Sequence, residues 1–304
     1  MLNHTSDIEM SLPSHTNVAV VIVTYCPDDS FIHRLRLVGD QFKLVVVVDN
    51  SVQTSFLGSQ LESEKIRLIR NQENVGLAEA LNIGCRAALE LGFEWVVTLD
   101  QDTELGENYL CKMLAAWSAS ALSPAILGCN YYNVARSHYK FTPTVAPFIQ
   151  TRKTVITSGC LMNLSTWSNL GGFRGDYFID SVDHEFCLRA RIAGFCVAVN
   201  LQSLMVHTIG EAVNHHKLLK KYSPYSHSVS RVYTKTRNTL RTAVDYFSSE
   251  PLWCIKQLCG LSVDLLAIVF FESDKKIRLR AFGSGLADGC SNKMGDPPIR
   301  YYRE

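Results

Sequence analysis

Ten cysteines stand at positions 26, 85, 111, 129, 160, 187, 196, 254, 259 and 290, yet no two form a CxxC pair and none has metal-ligand spacing. That absence removes zinc-ribbon and dithiol redox readings. A thiol inside an apolar or helical pattern behaves as a small hydrophobe, as several of these do. The N-terminus also lacks a charged segment followed by an apolar one, so no signal peptide is expected. A reducing, cytoplasmic compartment follows from the two observations together. Excess charge is missing as well: the formal net charge is +1, which argues neither for nor against nucleic acid. With 47% hydrophobic and 19% charged residues, 304 residues can bury a sizeable core.

What is present is an alternation of buried strands and amphipathic helices. Val18 to Thr24, Lys43 to Val48 and Ile66 to Ile69 read as strands, continuous in apolar residues as strands covered on both faces are. A helix carrying Phe31, Leu35 and Val38 lies between the first two, and another runs from about Leu77 to Leu91, with Gly92 ending it. Glu94 to Leu99 is a fourth strand and ends in Asp100-Gln101-Asp102. A helix over Glu107 to Ser120 and a strand from Ala125 to Cys129 follow. This order predicts an α/β fold with a mostly parallel sheet and right-handed crossovers. Tyr131 to Arg152 reads as a surface loop, Thr154 to Ser158 as a strand, and Leu170 to Phe173 as a turn. Residues 1–16 read as a frayed tail, 17–210 as the main domain and 211–304 as a separate C-terminal region.

Three strands end in polar residues at one sheet edge: Thr24-Tyr25, Asp49-Asn50 and Asp100 to Asp102. Ligands of open α/β sheets sit beyond that edge. Alternate residues of an extended chain point the same way, so Asp100 and Asp102 face one ligand, and a divalent metal on phosphate oxygens suits them. Capping of the next helix is the bland alternative. A second cluster, Asp180, Asp183 and Glu185, stands at a helix start. Asp180 as N-cap and Asp183 as the N3 acid would serve the helix alone. Capping does not require Glu185, nor the flanking Phe178 and Phe186, and a partly buried carboxylate there suits a general base. His207 closes the apolar run Leu204 to Val206. It is a third ligand candidate, since imidazole suits Mn²⁺, or an ordinary strand-end histidine.

Taken in order, VIVTYCPD, VVDNS, NQENVGLAEALNIG, WVVTLDQD, TSGCLMN, GGFRGDYFIDSVDHEFCLR, VHTIG and SRVYTKTRN cover roughly residues 18 to 241. Together they resemble inverting glycosyltransferases of family 2 with the GT-A fold, most closely the rhamnosyltransferase branch. The resemblance implies that Thr24, Tyr25 and Asp49 bind the base and sugar of a nucleotide. Asn74 and Gly76 would line its ribose and phosphate side. Asp100 and Asp102, with His207, would hold Mg²⁺ or Mn²⁺ on the pyrophosphate, and Asp183 would be the catalytic base. Family members often carry Glu-Asp where this chain has Val182-Asp183, so a role-swap with Glu185 stays open. The implied donor is dTDP-L-rhamnose, with a UDP-hexose as the rival. The implied acceptor is a polyprenyl-diphosphate-linked glycan, as in O-antigen or capsule assembly, at the cytoplasmic face of the membrane. A catalytically silent nucleotide-sugar-binding scaffold is the rival from another class.

No acid occurs between Glu211 and Asp245, where Lys217, Lys220, Lys221, Arg231, Lys235, Arg237 and Arg241 stand among tyrosines. Either a solvated basic face or a surface for a pyrophosphate-linked acceptor or anionic lipid accounts for them, Arg237 included. Nothing resembles an RNA-binding module. Leu252 to Phe271 is apolar and of bilayer length but holds Lys256 and Asp264. An interfacial helix followed by Lys275, Lys276, Arg278 and Arg280 fits better than a spanning one, and a core helix remains open. Gly283 to Glu304 reads as an irregular tail.

Overall fold

The computed structural model describes residues 10–52, 64–134, 137–207, 228–272 and 274–301. The chain forms two compact units. The first comprises Met1–Phe173 and Phe186–Thr208, the second Arg174–Glu185 and Ile209–Glu304.

The first unit is built on one sheet, ordered β3-β2-β1-β4-β9-β6-β10-β5. Its first half is β1 (Val18–Thr24), β2 (Val45–Asp49), β3 (Ile66–Arg70) and β4 (Trp95–Asp100), all parallel. Every residue of β1 and β2 is buried, which is why these strands read as valine-rich apolar runs up to the polar residues Thr24 and Asp49 that end them. Helices α1 (Phe31–Gly39) and α2 (Gly76–Glu90) supply the crossovers, with Phe31, Leu35 and Val38 buried on α1 as their spacing predicts.

Beyond β4 the sheet becomes mixed. After β5 (Glu104–Leu105) and α3 (Tyr109–Ser118), β6 (Ile126–Asn133) is followed by short β7 (His138–Tyr139) and β8 (Ile149–Thr151). The expected loop over Tyr131 to Arg152 is thus partly organised, with β7 on β6 and β8 on β10. The strand expected at Thr154 to Ser158 is not one. The pairing strand is β9 (Cys160–Asn163), antiparallel to both β4 and β6. Instead the preceding segment gives its polar atoms to the end of β4: Thr98 Oγ1 donates to the Thr157 carbonyl at 2.6 Å, and the Asp100 N–H to Ser158 Oγ at 3.1 Å. The short helix α4 (Leu164–Asn169) is capped by Asn163, whose side chain accepts from the Thr166 N–H. Helix α5 (Val182–Ile192) precedes β10 (Val197–His207), which is parallel to β6 and antiparallel to β5. The pairing of Met205 with Leu105 and Val206 with Glu104 brings His207 back toward the end of β4. Residues 10–16 are also less frayed than expected, because Trp95 Nε1 donates to the Ser11 carbonyl at 3.0 Å.

The second unit holds α6 (Val229–Tyr246), α7 (Pro251–Phe270) and α8 (Lys275–Cys290). Val232, Tyr233, Leu261, Ile268, Ala281 and Phe282 form its core. Helix α8 takes in Gly283 to Cys290, the first part of the segment expected to be irregular, and the described residues after it are turns and a short 3-10 helix. The α8 glycines, which suggest a loop in sequence, serve a close approach: a Cβ at Gly285 would lie 2.7 Å from the Tyr233 carbonyl oxygen, and one at Gly289 2.7 Å from that of Arg237. Only glycine lets the α6 backbone come so near.

Candidate active site

In the first unit, register sets the polar edge. Thr24 pairs with Asp49 across β1 and β2, and Val23 with Asp100 across β1 and β4. Asp100 and Asp102 flank a turn, and His207 arrives from the end of β10. His207 Nε2 lies 3.7 Å from Asp100 Oδ2, and its Nδ1 lies 3.7 Å from Asp102 Oδ1. One ligand atom from each of the three side chains falls within 4.8 Å of the others. His207 is buried at 7% exposure, while the Asp100 and Asp102 side chains are 36% and 50% exposed. The imidazole is held from behind: Thr103 Oγ1 is 3.0 Å from His207 Nδ1 and 2.6 Å from Ser158 Oγ, which in turn takes the Asp100 N–H. Helix capping, the alternative for the acid pair, does not account for a buried histidine aimed between both carboxylates.

Gln101, part of the resemblance to the rhamnosyltransferase branch, has no physical role that sequence alone assigns, and the structure gives it one. Its Oε1 accepts the Tyr25 N–H at 2.8 Å and its Nε2 donates to the Tyr25 carbonyl at 3.2 Å. The side-chain amide thus pairs with Tyr25 backbone as a neighbouring strand would. Arg34 of α1 adds a hydrogen bond from Nε to the Gln101 carbonyl at 2.9 Å. The acid-bearing turn and the β1 loop are thereby one piece.

The remaining expected binding residues sit on the same edge in different roles. Asp49 is buried, and its Oδ1 accepts the Thr24 hydroxyl at 3.1 Å, the Ser51 hydroxyl at 2.6 Å and the Ser51 N–H at 3.1 Å. Thr24 is fully buried, so it supports Asp49, whereas the Tyr25 side is half exposed. Asn74 Oδ1 accepts the Gly76 N–H at 3.0 Å, and Asn50 Nδ2 donates to the Gly76 carbonyl at 3.1 Å, tying the β2 and β3 loops to the start of α2.

The second unit carries the other acids. Glu185 is 2% exposed and accepts the Tyr246 hydroxyl at 2.8 Å, whereas Asp183 is half-buried on the first turn of α5, its Oδ1 taking the His184 N–H at 2.8 Å. Asp180, expected as a helix cap, gives its carboxylate to Arg231 Nη2 at 2.6 Å and to the Thr234 hydroxyl at 2.8 Å. The residues before α5 are strained. Phe178 (φ 62°, ψ −69°) centres a γ-turn closed by Ile179 N–H on the Tyr177 carbonyl at 2.7 Å, and Asp180 and Ser181 have φ of 71° and 58°. Each such non-glycine residue costs about 1–3 kcal/mol unless its surroundings enforce it.

The expected basic face dissolves over its described part. Arg237 is fully buried, its Nη1 on the Gly295 carbonyl at 2.5 Å and Nη2 on that of Tyr177 at 3.3 Å. Lys235 pairs with Asp264 at 2.7 Å and Arg241 with Asp245. Lys217, Lys220 and Lys221 lie outside the described residues.

The model of Glycosyl transferase family 2 matches residues 20–186, more than half of the chain. This chain is a family 2 glycosyltransferase. The enzyme is 30% identical over 211 residues to dTDP-rhamnosyl transferase RfbF of Shigella flexneri, covering 65% of this chain and 71% of that one. Among solved structures, residues 1–349 of S. aureus TarS superpose with a TM-score of 0.60 at 12% identity, covering 91% of the glycosyltransferase and 82% of that fragment. The same TarS fragment in complex with UDP-GlcNAc gives 0.58 at 15% identity, over 94% and 82%. GalNAc-T7 with UDP, GalNAc and Mn²⁺ gives 0.57 at 13% identity, over 91% of this chain and 57% of that one. These likenesses establish the GT-A fold, with the helical C-terminal region attached to it. The donor set fits a divalent cation: two carboxylates suit a hard ion, and a buried imidazole held by a hydroxyl behind it is how metal-binding histidines are oriented.

Proposed function

We propose that this glycosyltransferase moves L-rhamnose from dTDP-L-rhamnose to a hydroxyl of a polyprenyl-diphosphate-linked intermediate in bacterial surface polysaccharide synthesis, such as O-antigen, with inversion. The Asp100, Asp102 and His207 cluster carries the reading, and the 30% identity to a dTDP-rhamnosyl transferase supports the choice of sugar.

When bound, Mg²⁺ or Mn²⁺ would neutralise charge developing on the departing nucleoside diphosphate, and Asp100, Asp102 and His207 would hold it. The chain's own groups do the rest. Tyr25 borders the nucleotide, with its backbone held by Gln101, while Asp49, Thr24, Asn74 and Gly76 shape the loops that receive base and ribose. A sugar hydroxyl is a weak nucleophile, so a carboxylate on the face opposite the leaving group takes its proton as the new C–O bond forms. That role falls to Asp183. Glu185 is the poorer candidate, since it is buried against the Tyr246 hydroxyl.

The acceptor's lipid places the enzyme on the cytoplasmic face of the membrane, and α7 supplies the contact. Leu252, Ile255, Val263, Leu266 and Phe270 fall along one side of the helix, each exposed. The helix's one acid, Asp264, is neutralised by Lys235 on α6, and exposed Lys275, Lys276 and Arg280 follow. An apolar stripe beside exposed cations matches an anionic bilayer surface better than a span.

The test is a donor panel. Purified protein with Mn²⁺, lipid extract and dTDP-L-rhamnose, UDP-glucose or UDP-GlcNAc is assayed for nucleoside diphosphate release and for calorimetric binding. Preference for dTDP-L-rhamnose is expected. Preference for a UDP-sugar would replace the donor, and binding without release from any of them would make the protein a scaffold.

A further inference from the structure

The loop leading into Asp183 has a strained backbone. In the seven residues from Gly175 to Ser181, three non-glycine residues have left-handed φ, and the γ-turn at Phe178 is of the rare positive-φ kind. Such a backbone persists only where its surroundings over-determine it.

One face of α6 does this. Arg231, Thr234, Asn238 and Thr242 recur at helical spacing, joined by Arg237, and Thr234, Arg237, Asn238 and Thr242 are fully buried. A buried helix face is ordinarily apolar; this one is a row of hydrogen-bonding groups. The Asn238 amide, through Nδ2, reaches the carbonyls of Tyr177 at 2.8 Å, Ile179 at 2.8 Å and Asp180 at 3.0 Å. Three acceptors share two protons, so they converge on one point and pull the loop into its curl. Arg237 Nε fixes the other end of that amide, donating to Asn238 Oδ1 at 2.9 Å. Thr242 Oγ1 meets the Tyr177 hydroxyl at 2.9 Å, Thr239 Oγ1 meets Ser181 Oγ at 3.2 Å, and Thr234 with Arg231 holds the Asp180 carboxylate. Gly285 and Gly289 of α8 brace α6 in turn, meeting its backbone at Tyr233 and Arg237.

Burying an arginine, an asparagine and threonines where leucines would pack is an unfavourable way to gain stability. What it secures is one conformation of the loop. We propose that the polar face of α6 is a cradle that positions Asp183 for proton abstraction, with Asn238 and Thr234 as positioning residues. The proposal rests on Asp183 being the base. It also gives the SRVYTKTRN stretch a physical role, since Arg231, Thr234, Arg237 and Asn238 all lie in it.

The test compares Asn238→Ala, Thr234→Val and Thr234→Ser with wild type in the full chain. Turnover is nucleoside diphosphate release from dTDP-L-rhamnose with lipid extract and Mn²⁺. Nucleotide affinity is measured by calorimetry with dTDP and Mn²⁺, and folding by melting temperature. Misplacing a reacting group by about 1 Å costs about 100-fold. Asn238→Ala and Thr234→Val should therefore lose about 10- to 100-fold in kcat, with dTDP affinity within twofold. Thr234→Ser, which keeps the hydroxyl, should return to within about threefold of wild type. Should Asn238→Ala fail to fold, the Thr234 pair decides. Folded Asn238→Ala or Thr234→Val with wild-type kcat, or losses in which dTDP affinity falls equally, would overturn the cradle. Asp183→Asn separates the two readings. If it stays active, the base assignment fails; if it is inactive while the α6 variants turn over normally, the cradle alone fails.

Discussion

Gln101→Ala is the most informative single change in the first unit. The substitution removes two side-chain-to-backbone hydrogen bonds, at 2.8 and 3.2 Å, and nothing else in the turn needs to move. A net hydrogen bond is worth about 0.5–1.5 kcal/mol, and these lie at the partly exposed edge, so the pair contributes about 1–2 kcal/mol to holding Tyr25 in place. If the nucleotide needs that placement, the loss appears as weaker binding, and 1–2 kcal/mol corresponds to about 5- to 30-fold. Calorimetric titration of dTDP in the presence of Mn²⁺ measures it. Gln101→Glu is the sharper control, because it keeps the acceptor for the Tyr25 N–H, loses the donor to its carbonyl and adds a third negative charge between Asp100 and Asp102. Binding of dTDP by Gln101→Ala within twofold of wild type, with an unchanged melting temperature, would refute the reasoning: Tyr25 would then be held without the amide, or would not touch the nucleotide.

Thr103→Val removes the hydroxyl behind His207 Nδ1 and should weaken Mn²⁺ binding by about 10- to 100-fold, read by titration of free Mn²⁺ by electron paramagnetic resonance; unchanged affinity would remove Thr103 from the site. Gly289→Val places a branched side chain where even a Cβ meets the Arg237 carbonyl at 2.7 Å, and should destabilise the protein by about 1–3 kcal/mol in urea unfolding. Leu266→Glu with Phe270→Glu puts two acids on the exposed stripe of α7, and flotation with vesicles containing phosphatidylglycerol should fall sharply while dTDP binding is retained. Equal flotation of variant and parent would place the membrane contact elsewhere.

Where burial dictates composition, the fold could be read directly. The strands Val18–Thr24 and Val45–Asp49 are covered on both faces, and cover on both faces demands the continuous apolar run that each of them shows. The polar edge followed, because parallel strands carry their loop residues to one side. Segments whose conformation comes from distant partners stayed hidden. Thr154 to Ser158 is rich in β-branched residues and reads as a strand, yet its hydroxyl and carbonyl serve Asp100 and Thr98, more than fifty residues earlier in the chain. Gly285 and Gly289 look like loop residues until α6 is seen against them. Gln101 pairs with a backbone 76 residues away, a contact that leaves no periodic trace. The run of basic residues misled for a related reason, since counting charges does not show that Asp180, Asp245 and Asp264 wait elsewhere to pair with them.

The central claim, glycosyl transfer assisted by a metal at Asp100, Asp102 and His207, is met most directly by nucleoside diphosphate release from dTDP-L-rhamnose with lipid extract, run with Mn²⁺ and with chelator, for wild type and Asp102→Ala. The expected result is release by wild type with Mn²⁺, its loss in chelator, and a variant that has lost both turnover and metal-dependent donor binding. Full release in chelator, or an Asp102→Ala enzyme with undiminished metal-dependent turnover, would contradict it.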